Sequence, residues 1–278
     1  MGLADASDRL VISSYTLGVE VPFADRVRVA AEAGFAGIGL RAENYVDARA
    51  AGLDDDAMKE ILDRHGIAVM EVEYITGWGS ERTRDAAQQE KEQTIFHMAR
   101  TFGVSHMNTG LLDKPPVEEI TDGFAQLCRR AGELTVALEF LPFGGVPDLT
   151  TAWRVLADAG EPNSALIVDT WHWCRGGVAK EDIEPVPADR IAAVQLCDVQ
   201  KEPMQPAPLR EEGLHHRLPP GRGYGDVVGT LRALQAKGVD CMVSVEVISD
   251  DLLAQGLEVT AKTALTASKE VLAQLRRP

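Results

Sequence analysis

Four oxygen-bearing side chains stand at or near the ends of apolar segments in the second half of the sequence. They are Glu139 in VALEFLP, Asp169 in LIVDTWH, Gln195 in AAVQLCD and Glu246 in VSVEVIS. A buried polar group without a partner costs about 2–7 kcal/mol, and these four segments contain no Lys or Arg that could neutralise three acids. We therefore expect one divalent cation to hold the four side chains, with Mn or Mg favoured by the all-oxygen donors and Co or Zn as alternatives. A metal-free network of hydrogen bonds and protonated acids is the competing interpretation.

An imidazole follows the second of these acids, because Asp169 begins the sequence Asp-Thr-Trp-His-Trp. A histidine with an ordinary pKa of about 6.5 exchanges protons near neutral pH. His172 is therefore a candidate catalytic and substrate-binding residue, with a hydrogen-bonded structural histidine as the alternative. The flanking Trp171 and Trp173 either form flat walls of a sugar pocket or pack in the core.

The elements that would position these residues repeat one unit, in which an amphipathic helix ends on a glycine and a short apolar strand follows. VRVAAEAGFAGIGL and LRALQAKGVDCMVSVE are examples. Glycine just after a helix adopts the left-handed conformation that ends it, and near-continuous apolar strands are typical of a parallel sheet covered by helices. The predicted strands are 10–16, 36–41, 67–74, 104–109, 135–141, 165–170, 191–197 and 241–248. The predicted helices are 23–33, 54–65, 82–102, 116–132, 149–159, 180–184, 226–237 and 256–276.

Eight such alternations predict an α/β fold, a single (β/α)8 barrel over residues 1–278. A doubly wound sheet is disfavoured, since no GxGxxG sequence follows the first strand. In such a barrel the C-terminal ends of the strands converge on the face that carries the active site. The longest irregular segment, residues 199–225, separates the last two strands; loops of that length in compact domains are commonly lids or binding loops.

Composition excludes several functional classes. Lys and Arg total 28 against 43 Asp and Glu, a formal net charge of -15, which repels nucleic acid and anionic membranes. The four cysteines form no CxxC pair, which favours reduced core thiols over a disulfide framework or zinc knuckle. The first residues, MGLADASDRL, do not have the charge and apolar pattern of a leader. We expect a cytoplasmic protein without nucleic acid or membrane partners.

The motifs of the last four strands, LEF, DTWH, QLCD and VEV, occur in the order and spacing of the xylose-isomerase-like sugar isomerases and epimerases. The sequence resembles this (β/α)8 family, which includes ketose 3-epimerases, inosose dehydratase and 3-dehydroshikimate dehydratase. The resemblance implies that Glu139, Asp169, Gln195 and Glu246 hold one divalent metal and that His172 contacts the substrate. It also implies a substrate contact by Arg217, which precedes the PPGRGYG turn. Ketose epimerases usually carry His at the position of Gln195, so this residue is more similar to the dehydratases.

Residues near the ends of the early strands could complete the pocket. They are Tyr15, Arg41, Glu43, Tyr74, Trp78 and Asn108. Arg41 is the foremost of them, as a fixed cation for a substrate carboxylate. In the long loop, His215 and His216 are weaker candidates for ligand contact, and His216 is included among the predicted substrate-binding residues.

The resemblance implies proton abstraction next to a metal-bound carbonyl, with Glu139 and Glu246 as the acid–base pair. An isomerase or epimerase acting on a sugar or polyol ketone is the predicted function, and a dehydratase using the same first step is the alternative. The expected substrate is a sugar, cyclitol or keto-acid, and the expected assembly is a homodimer or homotetramer. Two hypotheses from other functional classes are a non-catalytic subunit and an abasic-site endonuclease. The endonuclease is disfavoured by the net charge of -15.

Overall fold

A closed ring of parallel strands forms the centre of the molecule in this computed structural model, which describes residues 2–204 and 208–276. Within these residues eight strands pair in sequence order, and β1 closes the ring against β8. They are β1 Val11–Ile12, β2 Gly37–Arg41, β3 Ala68–Ile75, β4 His106–Thr109, β5 Thr135–Glu139, β6 Ser164–Asp169, β7 Ile191–Leu196 and β8 Met242–Val245. The predicted (β/α)8 barrel is confirmed.

Helices cover the outside of the ring. They are α1 Phe23–Ala33, α2 Ala42–Ala50, α3 Asp55–His65, α4 Ala86–Phe102, α5 Val117–Ala131, α6 Leu149–Ala159, α7 Thr170–Arg175, α8 Leu209–His215, α9 Val227–Ala236, α10 Asp250–Leu253 and α11 Leu257–Leu275. The caps explain several boundaries: Asp54 accepts a hydrogen bond from the Ala57 amide, and Gly34 ends α1 with a φ of 100°. A carboxylate that accepts an amide hydrogen bond commonly begins a helix, and a glycine in the left-handed conformation commonly ends one.

The first strand is much shorter than predicted. Residues 10–16 were expected to be extended, but β1 ends at Ile12 and a 3₁₀-helix, Ser14–Leu17, follows. The Thr16 hydroxyl explains the difference, because it donates to the Val245 carbonyl at 2.9 Å and accepts from the Val247 amide at 2.9 Å. This side chain therefore bonds the backbone at the end of β8, which itself stops at Val245 rather than at residue 248.

Four helices were not predicted: α2, α7, α8 and α10. Each except α8 directly follows, or lies within five residues of, the C-terminal end of a strand. Their shortness hides the helical period, since α7 has six residues and α10 has four. Among the predicted helices, the one expected at 82–102 begins four residues later, at Ala86, and the one expected at 180–184 is a 3₁₀-helix, Lys180–Ile183.

The segment 199–225 contains α8, and residues 205–207 lie outside the described residues. An isolated bridge pairs Asp198 with Leu218. The Asp198 carboxylate also accepts hydrogen bonds from the amides of Gly221, Gly223 and Gly225 at 2.8–3.0 Å, which fixes the glycine turn. A lid role for this segment stays a prediction.

None of the helices in the described part of the chain combines the length and apolar character that a bilayer span requires. The main apolar core lies between the strands and the helices, whereas a separate small cluster of Ala137, Ile167 and Ala193 lies apart from it. These three residues occupy positions in β5, β6 and β7 that lie two residues before the polar strand ends.

Candidate metal and substrate site

Strand alternation explains why three of the predicted ligands converge. Successive side chains of a strand point to opposite faces, so Glu139, Asp169 and Gln195 share a face with the apolar residues two positions earlier. That face is the barrel interior, where small apolar residues fill the layer below. The three polar side chains are 5%, 0% and 2% exposed. Local strand geometry thus brings them to one buried place.

Glu139 faces His172. The Nε2 atom of His172 lies 3.2 Å from Oε1 of Glu139, although the angle does not make a hydrogen bond and this oxygen has no hydrogen-bond partner among the described residues. The other oxygen, Oε2, accepts a hydrogen bond of 2.7 Å from the Tyr74 hydroxyl. Burial and the adjacent Glu139 raise the pKa of Tyr74 well above its usual value of 10, so the phenol keeps its proton and donates.

Asp169 both starts α7 and joins the site. Its Oδ1 atom accepts hydrogen bonds from the amides of Trp171 and His172 at 2.7 and 2.9 Å. Its Oδ2 atom accepts a hydrogen bond of 2.7 Å from Nη1 of Arg217. Burial opposes ionisation of this carboxyl, but the guanidinium of Arg217 and the donors of α7 hold its pKa below the usual value. The cap also explains how the turn after β6 directs His172 toward Glu139.

Arg217 corrects one argument from the sequence. No basic residue occurs in the four strand-end segments, yet Arg217, 3% exposed, enters the site from the loop after α8. Its Nη1 atom contacts Asp169 at 2.7 Å and Oε2 of Glu246 at 3.1 Å, and its Nε donates to the Gly213 carbonyl at 2.7 Å. One guanidinium therefore neutralises part of the acidic charge that the sequence assigned to a metal alone.

Glu246 lies on the β8 side of the same centre. Oε1 accepts a hydrogen bond of 2.8 Å from the Ser13 hydroxyl, and Oε2 contacts Arg217. Burial raises the pKa of this carboxyl well above its usual value, with a further upward contribution from Glu139, whereas Arg217 opposes the rise. The arrangement places Glu246 against a hydroxyl and a cation.

The donor set fits a divalent cation. Glu139, Asp169 and His172 each offer a ligand atom, and these atoms lie within 4.8 Å of one another. The Oε1 atoms of Glu139 and Gln195 are buried without a hydrogen-bond partner among the described residues, which a cation would remedy. The cluster of three includes His172, a residue that sequence analysis assigned to substrate rather than metal. Because the cluster combines carboxylates with one imidazole, it suits Mn, Co or Zn as well as Mg.

A cavity of about 140 Å³, open to solvent, lies against this cluster. The predicted residues Tyr15, Arg41, Glu139, His172, Arg217 and Glu246 line it. Charged and aromatic side chains thus surround an opening beside the cluster, and a concave surface with a few convergent polar groups is typical of a small-molecule site.

Four of the predicted metal-binding and substrate-binding residues do not line the cavity, and neither do the weaker candidates Glu43, Trp78, Asn108 and His215. Asp169 and Gln195 are buried beside it. Trp171 is fully buried, with its ring centroid 5.1 Å from that of His172 and 5.6 Å from the Arg217 guanidinium, so it lies behind these two residues. His216 pairs through its backbone with Ser249. The substrate contacts predicted for Trp171 and His216 stay predictions.

Sequence analysis missed Glu73 and Arg210, which line the cavity, and Glu71, which is buried near Glu73. The signal for the glutamates was their spacing of two in AVMEVEYI, which places both on one face of β3. Arg210 has no sequence signal, because it lies in a short helix within the long loop.

A family model described as "Xylose isomerase-like TIM barrel" matches residues 27–275. The chain belongs to the xylose isomerase-like TIM barrel family. The suspected resemblance is confirmed, and it extends over the first half of the barrel, where the sequence alone showed only the repeating pattern.

Named relatives of this xylose isomerase-like barrel include enzymes of more than one class. A 3-dehydroshikimate dehydratase of Pseudomonas aeruginosa is 26% identical over 196 residues, which cover 67% of this chain and 30% of that protein. An inosose isomerase of Bacillus velezensis is 24% identical over 193 residues, which cover 66% of this chain and 67% of the relative. The matched parts of the P. aeruginosa and Pseudomonas putida dehydratases span only 30% and 21% of their lengths.

Solved structures show the same fold at low identity. One described as the IOLI protein with a binding zinc atom has a TM-score of 0.86 and 18% identity, covering 97% of this chain and all of that one. A D-allulose 3-epimerase of Methylomonas in complex with D-allulose has a TM-score of 0.70 and 15% identity, covering 94% and 96%. These similarities describe the barrel and leave the reaction to the chemistry of the site.

Proposed function

We propose that this protein is a divalent-metal-dependent isomerase or epimerase that acts on a sugar or polyol ketone. The observation that carries the proposal is the convergence of Glu139, Asp169 and His172 within 4.8 Å, beside a cavity that Glu246 also lines. The named relatives, an inosose isomerase and an epimerase among them, support the same class.

Glu139, Asp169, Gln195 and Glu246 are the proposed metal ligands, and we propose His172 as a fifth donor. A divalent ion held there supplies positive charge that makes the C–H beside a substrate carbonyl more acidic. Glu139 and Gln195 suit this role since each presents a buried oxygen that lacks a hydrogen-bond partner among the described residues. Arg217 positions Asp169 and Glu246 through contacts of 2.7 and 3.1 Å.

Glu139 and His172 form one acid–base unit of the proposed reaction. The Tyr74 hydroxyl holds Oε2 of Glu139, which leaves Oε1 directed toward Nε2 of His172 at 3.2 Å. A proton taken from substrate by Oε1 can pass to His172, because the two atoms are within the reach of proton transfer. Both residues line the cavity, so both can meet the substrate.

Glu246 is the proposed second acid–base group. It projects from the end of β8, whereas Glu139 projects from β5, so the two carboxylates face the cavity from separated strands. Removal of a proton by one and return by the other to the opposite face of the same carbon gives epimerisation. Return of the proton to the neighbouring carbon gives isomerisation.

A dehydratase is the second candidate. The contact between His172 and Glu139 favours it, since an imidazole that lines the cavity can protonate a leaving hydroxyl after the same first step. The 3-dehydroshikimate dehydratases among the relatives agree with this chemistry. The substrate would then be a cyclic keto-acid rather than a neutral ketose.

Hydrogen–deuterium exchange tests the proposal. The protein is loaded with Mn, Mg, Co or Zn in deuterated water, and ketoses, inosose and 3-dehydroshikimate are followed by NMR. We expect metal-dependent exchange next to the carbonyl of at least one substrate, and the product distinguishes epimer, isomer and dehydrated compound. Absence of exchange with every metal and substrate would contradict the proposal and favour a non-catalytic subunit.

We further propose a cytoplasmic homodimer or homotetramer without nucleic acid or membrane partners. The net charge of -15 supports the absence of polyanionic partners. Sedimentation velocity measures the assembly directly, and a monomer at micromolar concentration would contradict it.

A further inference from the structure

Helix α8 supplies part of the cavity wall. Arg210, Gly213 and Leu214 of this helix line the cavity together with Arg217 just beyond it. The helix lies within the long segment between β7 and β8, so it has no place in the repeating helix–strand pattern. Its position must therefore be fixed by contacts of its own.

A buried ion pair fixes α8 to α7. Glu212 of α8 is 0% exposed, and its carboxylate lies 2.6 Å from Nη2 of Arg175, the last residue of α7. Nε of Arg175 donates to the same oxygen at 2.7 Å. The second oxygen of Glu212 accepts a hydrogen bond of 3.0 Å from the Met204 amide, and Nη2 of Arg175 also donates to the Gln200 carbonyl at 2.9 Å. Two guanidinium nitrogens on one carboxylate oxygen, with a further hydrogen bond made by each partner, hold α8 in a defined position.

Two guanidinium groups lining the cavity have unused donors. Arg210 lines the cavity but is exposed to solvent, and its side chain makes no hydrogen bond or ion pair with another described residue; three carboxylates, Glu73, Glu139 and Glu246, share the cavity wall. The Arg41 guanidinium lies 4.0 Å above the Tyr15 ring. Its closest carboxylate oxygens, on Glu43 and Glu73, are 3.6 and 3.8 Å away, beyond hydrogen-bond length.

We propose that Arg210 is a specificity-determining residue, held over the cavity by the Glu212–Arg175 pair, and that with Arg41 it binds a carboxylate of the substrate. Planar guanidinium groups match a carboxylate with two parallel hydrogen bonds. Glu43 and Glu73 compensate the charge of Arg41 from 3.6 and 3.8 Å, and a substrate carboxylate would add the parallel hydrogen bonds that these two acids do not make. This inference concerns the substrate class of the proposed enzyme and rests on that function only in using the same cavity.

The test measures binding of two matched pairs of compounds that cannot undergo the reaction. Shikimate is compared with its methyl ester, and D-gluconate with D-sorbitol, by isothermal titration calorimetry. We expect at least one acid to bind about 10- to 100-fold more tightly than its uncharged counterpart, the size of a charge-assisted hydrogen bond. Equal affinities in both pairs, or no saturable binding of either acid, would overturn the inference.

Variants in α8 test which residue causes the preference for an acid over its uncharged counterpart. Arg210→Ala should reduce the acid preference about tenfold, Arg210→Lys should retain part of it, and Glu211→Ala, an exposed neighbour on the same helix, should leave it unchanged. Glu212→Gln should reduce the preference several-fold without changing bound metal, because it loosens the attachment of α8. Thermal melts identify any variant that fails to fold. An unchanged preference in folded Arg210→Ala would overturn the role of this residue.

These outcomes are distinguishable from those of the exchange experiment. Exchange on a neutral ketone without any acid preference would leave the proposed function intact and remove the carboxylate site. Arg210-dependent binding of an acid, without exchange on any ketone, would support the carboxylate site and remove the proposed reaction.

Discussion

Buried polar groups in the two halves of the barrel interior differ in how many of their hydrogen bonds are made. On the β5–β7 side, Oε1 of Glu139, Oε1 of Gln195 and Nδ1 of His172 are buried without hydrogen-bond partners among the described residues. On the β3 side, both oxygens of Glu71 have partners: Ser244 donates to one at 2.6 Å and Asn108 to the other at 3.0 Å. Asn108 keeps one unpartnered atom, Oδ1, on that side.

The layer beneath the cavity shows the same contrast. Below Glu139, Asp169 and Gln195 it consists of Ala137, Ile167 and Ala193, whereas two residues before Glu73 in β3 it contains Glu71. Gly39 leaves the room for both glutamates, because a Cβ atom there would lie 2.7 Å from Glu71 and 2.9 Å from Glu73. A polar layer of this depth is tolerated because its groups bond one another.

The comparison separates a proposed binding side, β5–β7, from a supporting side, β3. Unsatisfied buried atoms are expensive, and the three-residue cluster on the β5–β7 side is where we propose the cation. The β3 side is largely satisfied by the protein itself. Three predictions, which use four substitutions, test this distinction.

The largest expected effect is on activity. Glu246→Ala should lower the rate of substrate proton exchange about 10³-fold or more, because it removes a proposed ligand and proton-transfer group. The matched change on the other side, Glu71→Gln, should keep the rate within about threefold, as burial raises the pKa of Glu71 and Ser244 and Asn108 already donate to both of its oxygens. Exchange rates by NMR and metal content by mass spectrometry provide the readout. A fully active Glu246 variant would remove this residue from the mechanism.

The next effect is on stability of the metal-free protein. Asp169→Ala should lower the free energy of unfolding by about 3–5 kcal/mol, because it removes a carboxylate from the buried Arg217 and the cap from α7. Val168→Ala, an apolar neighbour in the same strand, should cost about 1–3 kcal/mol and leave proton exchange intact. Urea unfolding measures both. Equal losses of unfolding free energy in the two variants would show that the Asp169–Arg217 pair contributes no more to stability than an apolar side chain of the same strand.

The smallest expected effect is on the pH dependence of the free energy of unfolding. Burial, with the adjacent Glu73, raises the pKa of Glu71 to about 8 from an ordinary value of 4.5. The native state then keeps a proton that the unfolded state has lost, so the free energy of unfolding falls as pH rises from about 4.5 through about 8. Glu71→Gln should remove this part of the fall. Unfolding midpoints at pH 5 and pH 8.5 measure it, and an identical decline in both proteins would contradict an ionisable Glu71.

The sequence indicated the residues of the proposed binding side more clearly than those of the supporting side. Glu139 and Asp169 end their strands, Gln195 is next to last in its own, and each follows apolar residues, a pattern that predicts a polar group at the mouth of a barrel. In β3 the glutamates alternate with apolar residues, which is also the pattern of a half-exposed strand. Only the closed ring shows that both faces of β3 are covered.

The sequence by itself determined the repeating helix–strand order, the identity of the strand-end acids and the family, because these depend on local periodicity and on motifs of a few residues. Tertiary structure decided which groups meet them. Arg217 lies 48 positions after Asp169, yet it bonds Asp169 and Glu246 at once, and the Tyr74 hydroxyl reaches Glu139 across 65 positions. Contacts of this range depend on barrel closure and on the path of the loop around α8, which no local pattern of residues encodes.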